Sequence, residues 1–216
     1  MKRSSGDFLW LAGLALVTAF VMMPVSHDLF LGVTTAHPYL MGFVKFALLA
    51  TMGELLTIRL MKGGWSMPPG LGYKAIVWGV VGLTIVLAFG LFSSGVEGAV
   101  AKGLLPGAPG FAGRFLQALY TGTLLNLTYG PAFMAAHRIS DTWIDLHVTG
   151  KKPVLSVVVQ QVDWPGFMHF VVGKTIPYFW IPVQTVNFML PAQYRVVVAA
   201  YLSIVLGIIL AYARRK

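Results

Sequence analysis

The sequence predicts an all-α integral membrane protein: six transmembrane helices in one polytopic bundle, with both termini on the inner side. Three observations carry this reading. Only 11% of the residues are charged, against about 25% in an ordinary soluble domain. Mean hydropathy is +0.76. Apolar residues also gather in long runs, comparable with the roughly 20 residues needed to cross about 30 Å of hydrocarbon, rather than in amphipathic stripes. The interruptions between runs are short, so residues 1–216 form a single membrane domain.

The runs fall at about 8–25, 39–60, 74–93, 115–136, 154–173 and 192–213. The first follows Met1-Lys2-Arg3, which opens the competing reading of a signal peptide, but no small-x-small cleavage site precedes Ser26. An uncleaved first span is expected. The second run carries Lys45 and Glu54. After the third comes "SSGVEGAVAKGLLPGAPGFAG", residues 93–113, with six glycines and two prolines. Breakers at that density predict a connecting loop or a lid rather than continuous helix. The fourth run holds Gln117, Thr121, Asn126, Thr128 and Tyr129 before Gly130-Pro131, polar groups suited to hydrogen bonds between helices.

Charge placement sets orientation. With the N-terminus inside, eleven cations fall on the inner side: Lys2, Arg3, Arg59, Lys62, Lys74, Arg138, Lys151, Lys152, Arg214, Arg215 and Lys216. Four fall outside, namely Lys102, Arg114, Lys174 and Arg195. That is the positive-inside bias. It accounts for the net charge of +9 without invoking nucleic acid. The expected partners are membrane lipids and ions or small solutes, with a homo-oligomer left open. The default location is a bacterial cytoplasmic membrane, an organelle membrane being the alternative.

The chemistry that the sequence leaves out is equally informative. There are no cysteines, so thiolate nucleophiles, thiolate metal sites and disulfides are excluded. The histidines at 27, 37, 137, 147 and 169 lack the His-x-x-x-His and Glu-x-x-His spacings of metal sites. Neither a nucleophile elbow nor a Gly-rich phosphate loop occurs. Catalysis, cofactor and metal are not expected.

Polar residues at membrane depth need a partner or a role. Lys45 is expected to snorkel outward. Glu54 cannot pair along its own helix, because Lys45 and Arg59 lie on other faces, so it requires another helix, water or a proton. In the fifth run, "VVVQQVDWPGFMHF" places Gln160, Gln161 and Asp163 beside Pro165-Gly166. A kinked or broken span is expected there, with the carboxylate either in a binding site or capping the second half-helix. Gly130-Pro131 is a second candidate break.

Residues 179–195, "FWIPVQTVNFMLPAQYR", combine two prolines with Gln184, Asn187 and Arg195. A short interfacial helix that then turns sharply into the last span explains the punctuation. Trp180, Gln184, Asn187, Phe188, Pro191, Tyr194 and Arg195 resemble, in order, the signature of the Mpv-seventeen and peroxisomal membrane protein family, with Pro182 standing one residue late. Upstream, His37-Pro38 with Gly53-Glu54, then Gly130-Pro131, then Gln160-Gln161 with Pro165 resemble further family elements. In the last of these glutamine replaces an aspartate and Asp163 stands nearby. The resemblance covers residues 37–62 and 115–213, leaving the span at 8–25 and the segment 74–113 as additions. It implies a small polytopic membrane protein with channel behaviour toward ions or small solutes. On this reading Glu54, Gln160, Gln161, Asp163, Gln184, Asn187 and Arg195 converge on one polar cavity. A non-catalytic scaffolding protein, with the same groups serving as interhelical staples, is the alternative.

Overall fold

The computed structural model of the chain describes residues 4–213, without the side chains of Leu210 and Ala213. Lys2, Arg3, Arg214, Arg215 and Lys216, counted above among the inner charges, lie outside the described residues. The described chain is helical throughout, with no strand. Helix α1 (Ser5–Met22) starts where the Ser4 amide donates to Asp7 at 2.9 Å. Prolines, which fit the first helical position and little else, then open α2 (Pro24–Ala36) and α3 (Pro38–Lys62). Gly63, at φ +75, ends α3. Helix α4 (Leu71–Ala101) and helix α5 (Gly110–Val148) follow. After the short α6 (Leu155–Gln161) the chain breaks at Val162-Asp163. It resumes as one rod made of α7 (Trp164–Gly166), the π-helical segment π1 (Phe167–Trp180) and α8 (Ile181–Met189). Helix α9 (Ala192–Ala213) closes the chain.

Helices α1, α3, α4 and α9 are long and apolar enough to cross a membrane, as their runs predict. The remaining elements correct the sequence reading at five points. Residues 93–101 are helix, and only 102–109 connect α4 to α5. Gly95 and Gly98 face open space while Val96 is buried, so packing on one side overrides a propensity cost of about 1 kcal/mol per glycine. Gly130-Pro131 lies inside an unbroken α5, where the missing amide leaves a single carbonyl without its helical donor. The helix carrying Gln160 and Gln161 stops before Asp163, so that residue starts the rod instead of occupying the middle of a span. Residues 181–189 continue the rod rather than forming a separate interfacial helix. Finally, Lys174 lies within the rod and not in an outer loop. Ile176 packs beside Gly130 and Thr185 beside Gly122, fixing α5 and the rod antiparallel and placing Lys174 in the half of the rod nearer Trp164.

Helix α2 went unpredicted. It packs on α1, α3 and α9, and His27 stacks on Tyr194 and meets its hydroxyl at 2.9 Å. Its opening proline was the available signal.

The core is the group α3, α4 and α9, joined by Phe46, Leu49, Ile85, Phe89, Val197 and Ala200. Lipid tails offer no hydrophobic drive between helices, so contact depends on close packing of small residues. A Cβ on Gly82 would collide with the Gly42 carbonyl, and one on Gly42 would stand 2.9 Å from the Gly82 carbonyl oxygen. Gly53 meets the Ile204 backbone on α9 in the same way, at 3.2 Å. Helix α1 has no buried residue. It is fixed by Trp10 Nε1 donating to the Met52 carbonyl (3.0 Å), by Thr18 with Tyr201 (2.9 Å), and by Arg59 gripping Asp7 through Nε (2.8 Å) and Nη2 (3.0 Å).

Gly82→Ala is expected to destabilise the bundle by about 1–3 kcal/mol, the usual cost of overpacking. Gly90→Ala on the same helix, where a Cβ meets nothing within 4 Å, is expected to be neutral or stabilising. Thermal unfolding in detergent distinguishes the two.

Candidate functional site: two cavities in series

Two cavities follow one another along the core. One, termed inner after the orientation expected from the charges, is about 410 Å³ and is lined on α3 from Phe46 to Met61, on α4 by Trp78 and Ile85, and on α9 from Ala199 to Gly207. The outer one, about 420 Å³, is lined on α3 by Pro38 and Lys45, on α4 from Val86 to Ser94, and on α9 from Ala192 to Val196. On each helix the lining passes from one cavity to the other within a few residues. At that junction stand Phe46, Phe89 and Phe188, the last two with ring centroids 4.9 Å apart.

The inner cavity collects charge of both signs. Glu54, about two turns before the end of α3, meets Lys74 of α4 at 3.6 Å, and Lys74 also reaches Asp145 of α5 at 3.1 Å. The partner on another helix that Glu54 needed is therefore Lys74, at a distance too long for a strong hydrogen bond. One and two turns earlier on α5, Asp141 and His137 pair, with His137 Nδ1 3.5 Å from the carboxylate, and the His137 ring is 4.1 Å from Trp78. Glu54 Oε2, His137 Nε2, Asp141 Oδ1 and Trp180 Nε1 are buried without a protein hydrogen-bond partner, and all four residues line this space. Unpaired buried polar atoms are uncommon. Their convergence on one cavity equips it to hold water or a small polar molecule.

Of the residues expected to converge, Glu54 and Gln184 line the inner cavity and Arg195 lines the outer one. Asn187 ties the two levels together. Its amide donates to Gln184 Oε1 at 2.9 Å and to the Arg195 carbonyl at 3.0 Å. This staple is where the prolines and amides of residues 179–195 lead: Pro191 separates rod from α9, and Asn187 bonds across the gap. Tyr194 faces His27, while Pro182 continues the rod. Gln160, Gln161 and Asp163 are exposed and join neither cavity. Asp163 accepts from the Gly166 amide at 2.9 Å, with Pro165 in the first turn behind it. It acts as a helix cap, since the break falls before the rod and not at its centre. Lys45 is likewise not snorkelling to solvent. It is 6% exposed, donates to Thr34 Oγ1 at 2.9 Å and sits 4.6 Å from the Phe30 ring, because α2 covers it.

Sequence reasoning missed Trp78, His137, Asp141 and Ser203 as cavity groups, and Lys74 as the partner of Glu54. His137 and Asp141 stand four apart on a helix, a spacing that announces a shared face. Their helix was expected to end at 136, which hid the pair. Among the described residues no cluster of His, Cys, Asp and Glu suits a metal ion.

The chain lacks cysteine, so a single introduced thiol reports on its own surroundings. Ser203→Cys and Ser93→Cys are expected to react with a small water-soluble methanethiosulfonate at least about tenfold faster than core Ala88→Cys, access being the controlling factor. Equal rates would mean a dry bundle. Compared with family profiles, curated proteins and solved structures, the chain matches none of them.

Proposed function

We propose that the chain is a non-catalytic channel or passive transport protein for ions or small solutes. The observation that supports this best is the serial arrangement of two cavities along α3, α4 and α9. Helices α3 and α9 run from the outer cavity to the inner one and α4 runs back, and this reading takes the pair as a route across the bilayer with the aromatic junction as its constriction. Hydrophobic constrictions of this kind gate by excluding water. The resemblance to the Mpv-seventeen and peroxisomal membrane protein family points the same way and belongs to the proposal.

The proposed topology has six crossings, α1, α3, α4, the middle of α5, the rod and α9, with both termini inside and α2 lying at the outer end. At 39 residues, α5 is about 58 Å long, so its ends project beyond the hydrocarbon. Moving Lys174 to the inner half of the rod strengthens the positive-inside asymmetry. The bacterial cytoplasmic membrane remains the proposed location.

A scaffolding role is the second reading, favoured by the Gln184–Asn187–Arg195 staple, in which the Asn187 amide nitrogen makes both of its bonds within the protein. Flux in proteoliposomes separates the two. Phe188→Ala is expected to raise flux about tenfold by widening the junction, Glu54→Gln to alter ion preference, and Asp163→Asn to leave flux unchanged. If neither wild type nor Phe188→Ala conducts any ion or small metabolite, the transport reading fails.

A further inference from the structure

The outer cavity differs chemically from the inner one. No acidic side chain lines it. Its two charges are Lys45 and Arg195, and its other polar lining is mainly hydroxyl: Thr34, Thr35, Ser93 and Ser94. None of the ion pairs among the described residues includes either cation. Two cations sharing one partly buried space without a counter-charge repel each other and lose hydration. Nearby aromatic rings compensate only in part, Phe30 at 4.6 Å from the Lys45 ammonium and Phe188 at 5.4 Å from the Arg195 guanidinium.

The donor count sharpens this. An ammonium offers three N–H groups and a guanidinium five. Lys45 spends one on Thr34 Oγ1. Arg195 uses Nε on the Leu190 carbonyl (2.9 Å) and Nη1, at 3.4 Å, on Ser93 Oγ. Most of both donor sets is left for the cavity, and the Thr34 hydroxyl, already accepting, has its own hydrogen to donate. A space rich in donors, doubly positive and free of carboxylates is built for an oxyanion.

We propose that the outer cavity, between Lys45 and Arg195, is a binding site for a small oxyanion: a phosphate or carboxylate group, carried by a soluble molecule or by a lipid headgroup. The cations set the charge, the guanidinium fork sets the geometry, and the hydroxyls of α2 and α4 complete the shell. The site deepens the transport reading by making the outer mouth anion-selective, yet binding itself needs no flux.

The test uses the full chain purified in neutral detergent, at constant ionic strength in sodium chloride. Thermal unfolding is followed by tryptophan fluorescence while inorganic phosphate is added, and separately while phosphatidylglycerol is added. Wild type is expected to gain stability saturably, as linkage requires of a ligand that binds only the folded state. In Lys45→Met the apparent affinity is expected to fall at least about tenfold, the scale of a lost charge-assisted contact. Without ligand the same variant should unfold no earlier than wild type, since an uncompensated charge has gone. Ser93→Ala, a milder change that keeps both cations, is expected to weaken binding a few-fold, a neutral contact being worth less. A response to phosphatidylglycerol alone, dependent on Lys45, assigns the site to a lipid headgroup; a response to phosphate assigns it to a soluble anion. No stabilisation by either, or equal stabilisation of wild type and Lys45→Met, overturns the proposal. Binding without flux removes only the transport reading, and flux without Lys45-dependent binding removes only this site.

Discussion

The contact on which the rest of the architecture depends is backbone against backbone at Gly42 and Gly82. In water such an approach is one packing detail among many; in a bilayer it is the principal way for helices to hold each other. With α3 and α4 drawn together there, and α3 seated on α9 at Gly53, the three helices enclose space above and below the contact zone. Helix α5 and the rod complete the wall of the inner cavity, and α2 that of the outer one. A larger residue in the seam would part the helices and join or collapse the cavities.

The second organising feature is the break before Asp163. By stopping α6 and starting the rod three residues later, the chain gains a continuous helix from Trp164 to Met189 that packs antiparallel on α5. Its hydrogen bonds run with π spacing through most of its length, as the Thr175 hydroxyl donating to the Phe170 carbonyl five residues back reflects. Pro177 sits within that stretch, where α-helical spacing would set its ring against a carbonyl four residues earlier. The consequence is positional: Ile176, Trp180 and Gln184 all face the inner cavity.

Electrostatically the two cavities are unlike. Inside, Glu54, Asp141, Lys74, Arg138 and His137 offer both signs, and several of their polar atoms are unpaired within the protein. The outer cavity beside α2 holds two cations, hydroxyls and the Gln193 amide, with no carboxylate in its lining. The aromatic junction separates them, and the Asn187 staple holds rod and α9 in register across it.

The amino-acid sequence by itself determined the class, the long apolar helices α1, α3, α4 and α9, and the fact that Glu54 needed a partner off its own helix. Those conclusions follow from local quantities: run length, composition and the 100° step of a helix. Which breakers actually break was settled by tertiary packing, because the cost of a glycine or proline is small against burial on one face. Hence Gly95, Gly98 and Pro131 stay helical while Val162-Asp163 does not. Tertiary structure alone also decided which polar groups meet. Glu54 and Lys74, or Lys45 and Arg195, stand on different helices, and only the seam of glycines brings those helices close enough for the first pair to meet and the second to share a cavity.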